Sequence, residues 1–257
     1  MPLNLTKLEG KVALVTGGSN DLGEAISNTL SGAGASVIIH HFQNRARAEK
    51  TCKDIIEAGG SAAIYEADVS DKRPVASLFR FIKERFNRLD ILVNNAHLPI
   101  TRISFPDVKW EEHQDQIDVM LKGAFYCAQE AVSMMGEQGD GSVINILTSH
   151  IDRPVKGYSS YVTAASALAG FSRNLAAEVG DKGIRVNMIA PGFVLTGRTP
   201  NAPEHVQEAI ANSTPLGRLA IPHDIAKTVL FFASELSGFI TGCYLVVDGG
   251  YNLSWRP

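Results

Sequence analysis

A chain of 257 residues, 45% hydrophobic and with a net charge of −3, can bury one large core and fits a single α/β domain over residues 1–257. Its lysines and arginines are scattered, which excludes a face built for nucleic acid or an anionic membrane. The opening MPLNLTKLEGK lacks the apolar core of a secretory leader, and no run approaches the roughly 18 apolar residues of a membrane span. A soluble, cytoplasmic protein is expected. Cys52, Cys127 and Cys243 lie far apart with no CxxC spacing, which argues for reduced thiols and against a disulfide framework or a metal site.

Short apolar runs rich in β-branched residues alternate with stretches of helical periodicity. The first run, Val12–Val15, leads straight into Thr16-Gly17-Gly18-Ser19-Asn20-Asp21-Leu22-Gly23 and a helix opening with Glu24-Ala25-Ile26. Glycines at such a turn let backbone approach a pyrophosphate, and the helix N-terminus favours its charge, although similar turns also serve plain connections. Val37–Ile39 ends in His40-His41-Phe42 before a helix over Arg45–Ala58, and Ala62–Tyr65 leads through Asp68-Val69 to a helix over Val75–Phe86. Ile91–Val93 ends in Asn94-Asn95-Ala96-His97, with the next helix expected over Gln116–Met135. Val143–Leu147 runs into Thr148-Ser149-His150-Ile151-Asp152 ahead of a helix over Tyr161–Val179. Val186–Ile189 ends in Ala190-Pro191-Gly192, Ile225–Ala233 is helical, and Tyr244–Val247 closes the series. This alternation builds a parallel, doubly wound α/β sheet covered on both faces. Its one long interruption, Phe193–Arg218, is rich in Pro, Thr, Asn and Gly. Because it leaves the carboxyl end of a strand, where ligands bind in such folds, a substrate lid is expected over 193–218.

The signals occur in a telling order: a TGxxxGxG-like turn at Thr16–Gly23, an NNAG-like Asn94–His97, a YxxxK-like segment from Tyr161, Asn187 before IAPG, PGxxxT at Pro191–Thr196 and VDGG at Val247–Gly250. Together they resemble the short-chain dehydrogenases/reductases over nearly the full chain. The resemblance implies a Rossmann-type sheet of seven strands in three α/β/α layers, NAD(P) across the carboxyl ends, a small-molecule substrate and a homotetramer or homodimer. Carried over by position, it implies Gly17, Ser19 and Leu22 at the pyrophosphate and adenosine ribose, Asp68 and Val69 at the adenine, Asn94 on the adenosine side and Thr196 at the carboxamide. Asn20, Gly23, Ala96, Pro191 and Gly192 complete the implied cleft.

The end of the second strand separates the two cofactors, since a carboxylate there holds a ribose hydroxyl and a basic group a 2′-phosphate. His41 stands where the acid is expected, and Arg45 and Arg47 follow, so NADP(H) is favoured over NAD(H). The alternative is a solvated first helical turn. His40 and His41, adjacent on a strand, point to opposite faces and do not form a metal pair.

At the catalytic end the family pattern is altered. The resemblance implies an Asn, a Ser, a Tyr and a Lys; the Tyr is Tyr161, but the Lys position is Ala165 and the Asn position Met120. Without the ammonium, a phenol near its ordinary pKa of about 10 is only about 0.1% ionised at pH 7. The Ser position, thirteen residues before Tyr161, is Thr148 with Ser149 beside it, and either hydroxyl can donate to a substrate oxygen. The middle glycine of the nucleotide turn is Asp21, which either faces the pyrophosphate or caps the helix. His97 replaces the glycine of NNAG and brings an imidazole to the nicotinamide pocket.

A second chemistry competes with this one. His150, Asp152 and Tyr161, with His97, offer an imidazole and an acid for dehydration, isomerisation or cyclisation. His113, His205 and His223 show no ligand spacing and are read as surface residues. Three functions therefore stand: an oxidoreductase acting on a carbonyl or secondary alcohol through an altered site, a non-redox enzyme on the same scaffold, and a catalytically silent binding subunit. Small residues cluster on the helix from Tyr161, with Ala164, Ala165, Ala167, Ala169 and Gly170 close together, and in the family the corresponding helix packs against a partner subunit.

Overall fold

The computed structural model describes residues 5–196 and 203–253. Its centre is strand β1 (Val12–Val15), whose four residues are all buried because both faces of the strand are covered. Ala13 and Val15 point into one apolar cluster and Val12 and Leu14 into the other, the period-two alternation of a strand between two helical layers. β2 (Ser36–His41) and β3 (Ser61–Glu66) extend the sheet on one side. β4 (Ile91–Asn94), β5 (Gly141–Ile146), β6 (Ile184–Pro191) and β7 (Tyr244–Val247) extend it on the other. All pairings are parallel in the order β3-β2-β1-β4-β5-β6-β7. The order reverses between β1 and β4, and that switch point opens a crevice at the carboxyl ends.

Helices α1 (Asp21–Gly32), α2 (Arg45–Glu57) and α8 (Pro222–Ala233) cover one face through Ile26, Leu30, Ile55, Val229 and Phe232. Helices α3 (Lys72–Phe86), α5 (Gly123–Gln138) and α6 (Ser159–Val179) cover the other through Leu78, Ile82, Cys127, Met135 and Val179. The result is the doubly wound, seven-stranded Rossmann architecture in three layers.

Two expectations needed correction. The helix expected over Gln116–Met135 begins earlier, as α4 (Trp110–Ile117), passes through a π-helical segment at Asp118–Lys122 and continues as α5. The polar WEEHQDQ stretch hid its start, because only Gln116 of α4 is buried. The interruption after β6 is not all loop. It contains α7 (Glu204–Ser213), none of whose residues is fully buried, so little apolar periodicity marked it. Leu195 N–H donates to the Ala220 carbonyl at 2.8 Å, closing the two ends of the segment on each other, and Leu216 N–H donates to that of Gly249 at 3.2 Å, just past β7. The part of the expected lid at 197–202 lies outside the described residues, as do Met1–Asn4 and Ser254–Pro257 of the expected 1–257 domain.

Candidate active site

The nucleotide turn is held from beneath by side chains. Gly17 adopts φ +62°, and a Cβ there would stand 3.2 Å from Asn95 Nδ2. A Cβ on Gly23 would meet the Gly17 carbonyl at 2.1 Å, so the helix can start this close to the turn only as glycine. Asn95 Nδ2 donates to the carbonyls of Thr16 (3.0 Å) and Gly17 (3.2 Å), and Thr16 Oγ1 accepts from the N–H groups of Asn95 and Ala96 at 2.9 and 3.1 Å.

His40, not singled out as a site residue in the sequence, completes this support. Gly17 N–H donates to its Nδ1 at 3.1 Å while its Nε2 lies 2.9 Å from the Ala67 carbonyl. Those partners fix the Nε2–H tautomer. Burial pushes the imidazole pKa down to about 4, against a partial offset from the Ala67 carbonyl.

The carboxyl edge of the sheet also carries buried polar atoms with no protein partner: Ser19 Oγ, His41 Nδ1 and Asn94 Oδ1. Buried polar atoms are costly unless matched. Lying at the carboxyl ends of the neighbouring strands β2, β1 and β4 beside the switch point, they fit a polar ligand such as a dinucleotide. Asn20 caps α1 by backbone conformation without a side-chain cap bond, and Leu22 packs against the first core cluster. Asp68 Oδ1 accepts from the Ser70 N–H and hydroxyl at 2.9 and 2.7 Å, and Val69 beside it is buried. Arg45 is turned outward to Glu49 at 2.8 Å. Asp21 does not stand alone at the turn, because its Oδ1 lies 3.2 Å from an Arg47 nitrogen.

At the far side of the crevice Pro191 is buried at the end of β6, and Gly192 N–H donates to the Val247 carbonyl at 3.1 Å. A Cβ on Gly192 would meet Asp248 Cβ at 2.6 Å. The Asp248 carboxylate in turn accepts from Gly250 and Asn252 N–H groups at 2.9 and 2.8 Å, which accounts for the VDGG ending. Thr196, half-buried, is the last described residue before the break at 197–202.

Tyr161 lies two residues into α6 and is 8% exposed. Its immediate neighbours are Met120, Ala164 and Ala165, with Ile117 and Ile151 against them. Tyr161 and Ala165 share a helix face by their four-residue spacing. Ala165 is fully buried and Met120 nearly so. The two positions that carry polar groups in the family pattern are thus packed together as one apolar cluster. Burial pushes the phenol up to about 12, and the Thr148 hydroxyl offsets part of the rise by hydrogen bonding. Ser149 is also buried. The His97 ring centroid is 6.2 Å from that of Tyr161, and His97 Nδ1 lies 2.7 Å from the Leu98 carbonyl.

Of the second constellation, His97 and Tyr161 lie near each other, while His150 and Asp152 take different partners. His150 faces Tyr158, with ring centroids 5.5 Å apart, and its backbone N–H donates to Thr148 Oγ1 at 3.2 Å. Asp152 accepts from the Tyr244 hydroxyl at 2.8 Å and is exposed. No group of His, Cys, Asp and Glu among the described residues is arranged to hold a metal ion, and no described helix is long and apolar enough to cross a membrane.

A family model described as enoyl-(acyl carrier protein) reductase matches residues 17–252. The chain belongs to the short-chain dehydrogenase/reductase family. It is 33% identical over 247 residues to a 3-oxoacyl-[acyl-carrier-protein] reductase of Synechocystis, covering 96% of this chain and 98% of that one. It is 34% identical over 251 residues to a short chain dehydrogenase/reductase of Aspergillus oryzae, covering 96% of each. Among solved structures, a gluconate 5-dehydrogenase from Burkholderia cenocepacia in complex with NADP and tartrate superposes with a TM-score of 0.91 at 25% identity, covering 99% of this chain and all of that one. A putative short-chain alcohol dehydrogenase from Sinorhizobium meliloti gives 0.91 at 32% identity, covering 98% and 100%. These relatives of the chain are reductases and dehydrogenases by name.

Proposed function

We propose that this short-chain dehydrogenase/reductase is an NADPH-dependent carbonyl reductase whose proton donor is Tyr161, protonated in the resting site at neutral pH. The observation that carries the reading is the buried phenol beside Thr148 at the carboxyl edge of the sheet, across the switch point from the nucleotide turn. NADPH, when bound, supplies a hydride to the carbonyl carbon. Gly17, Ser19, Asn20, Leu22, Gly23, His41, Asp68, Val69, Asn94 and Ala96 would hold its adenosine and pyrophosphate half, and Pro191, Gly192 and Thr196 the nicotinamide half. Arg47, beside the nucleotide turn, supports the preference for a 2′-phosphate more directly than the outward-turned Arg45.

The hydroxyls of Thr148 and Ser149 orient the substrate oxygen, and the Tyr161 O–H donates its proton to that oxygen as charge develops; the tyrosinate so formed takes a proton back from solvent water before the next turnover. A phenol held near a pKa of about 12 is fully protonated at neutral pH and still transfers its proton readily to an alkoxide, which is more basic. Alcohol oxidation needs the tyrosinate, which is scarce at neutral pH, so that direction gains from raised pH. Asp152 is engaged by Tyr244 rather than paired with His150, and the non-redox reading loses its acid–imidazole couple.

The same reading includes a cytoplasmic homo-oligomer, a homotetramer or homodimer. It is supported by free cysteines at all three positions, by the open outer face of α6 at Gly170, and by exposed Phe125 stacked edge-on against Phe171 at 5.8 Å. The test is NADPH oxidation against aldehydes, diketones and β-ketoesters, with Tyr161→Phe as control. Turnover that the control lacks supports the proposal. NADPH binding with no turnover on any of them makes the chain a binding subunit instead.

A further inference from the structure

We infer that Asp21 is a specificity-determining residue that masks Arg47 and holds down the chain's discrimination for a 2′-phosphorylated dinucleotide. The inference rests on the NADPH reading above and concerns how strongly that preference is expressed. Two turns face each other across the carboxyl ends of β1 and β2, one opening α1 and the other α2. They are joined at two points: Asn44 Nδ2 donates to Asn20 Oδ1 at 3.4 Å, and Arg47 donates to Asp21 Oδ1 at 3.2 Å. The same turns carry the unpartnered Ser19 Oγ and His41 Nδ1, on residues only 1% and 3% exposed, which points to a polar ligand at this junction.

The two arginines nearby are not equivalent. Arg45 bonds Glu49 within its own helix and is 72% exposed. Arg47 reaches across the gap to the nucleotide turn, and the carboxylate it meets is 12% exposed. A guanidinium presents a fixed fork of donors suited to a phosphate. Here part of that fork is occupied by Asp21, and a phosphate monoester arriving at Arg47 meets a carboxylate beside it. Attraction and repulsion therefore act on the same ligand group from adjacent side chains. An unphosphorylated ribose carries no charge to be repelled, so the penalty falls on the 2′-phosphate alone.

The experiment measures binding of NADPH, NADH, adenosine 2′,5′-bisphosphate and adenosine 5′-monophosphate by calorimetry, with thermal melts of each protein without ligand to establish folding. Asp21→Asn keeps the side-chain size and removes the charge. It should tighten NADPH and the bisphosphate by about fivefold, the scale of a half-exposed ion pair, while leaving NADH and the monophosphate within about twofold. Arg47→Gln should cancel that gain in the double variant, and Glu49→Gln, which releases only Arg45, should not reproduce it. Equal tightening of phosphorylated and unphosphorylated ligands overturns the inference, because it would mean general repulsion of the pyrophosphate. An unchanged ratio in Asp21→Asn, with the parent still preferring NADPH, overturns the masking alone. A parent that binds NADH more tightly, or neither dinucleotide, overturns both the masking and the NADPH reading.

Discussion

Replacing Ala165 with Lys puts back the ammonium that the family pattern carries four residues after the tyrosine, but into a space the fold has already filled. Ala165 is 0% exposed, and its cluster consists of Met120, Tyr161 and Ala164. Overpacking a core position costs roughly 1–3 kcal/mol. A buried ammonium without a partner adds several more, and relief by displacing Met120 recovers only part. The single variant should therefore lose about 3–6 kcal/mol, a fall in melting temperature of roughly 6–24 °C for a chain of this size. Combining it with Met120→Asn removes the obstructing thioether, supplies a polar neighbour and should recover at least half of that loss. The ammonium beside the phenol should then bring the Tyr161 pKa down, with about tenfold more tyrosinate for each unit. Thermal melts and NADPH oxidation rates for the parent, both singles and the double test this together. A single Ala165→Lys variant as stable as the parent and as active as the double would refute the claim that Met120 and Ala165 are packed as a unit.

Because the Tyr161 phenol is held near a pKa of about 12, alcohol oxidation should climb about tenfold per pH unit from pH 7 to 10 while carbonyl reduction stays flat; an oxidation plateau near pH 8 would contradict this. Burial lowers His40 to about 4, below the ordinary value near 6.5 of the unfolded chain. Its contribution to stability is present above about pH 6.5 and is lost as pH falls toward 4, amounting to about 3 kcal/mol. His40→Gln should flatten the stability slope between pH 6.5 and 4.5 by about 1.4 kcal/mol per pH unit in denaturant melts, and an unchanged slope counts against a neutral buried imidazole. Phe125→Asp, on the exposed edge of α5, should shift the protein toward a smaller species by light scattering, and an unaltered mass would move the expected interface elsewhere.

The β/α order was legible because the central strands are short apolar runs buried on both faces, as Val12–Val15 and Ile91–Asn94 show, and the less buried edge strands still stand out as short apolar runs between turns. Helices whose burial is slight were not: α7 buries no residue and α4 only Gln116, so neither left an apolar stripe to read. At the site, the glycines and the Tyr161–Ala165 spacing could be read from local pattern. The partners could not, since they come from distant turns. Asp21 finds Arg47 from the next helix, His40 reaches back to Gly17, and Asp152 finds Tyr244 on the last strand. The signal for His40 lay in the unusual polarity of the end of β2, where two histidines close an otherwise apolar strand.

The reductase reading is tested most directly by following the reducing hydrogen itself. NADPH deuterated at the transferring carbon is incubated with the protein and a β-ketoester, and the product is analysed by mass spectrometry. Tyr161 acting as proton donor beside a bound NADPH predicts one deuterium at the carbinol carbon, with incorporation lost in Tyr161→Phe. Tight NADPH binding with no label in any product, from parent and variant alike, would contradict it.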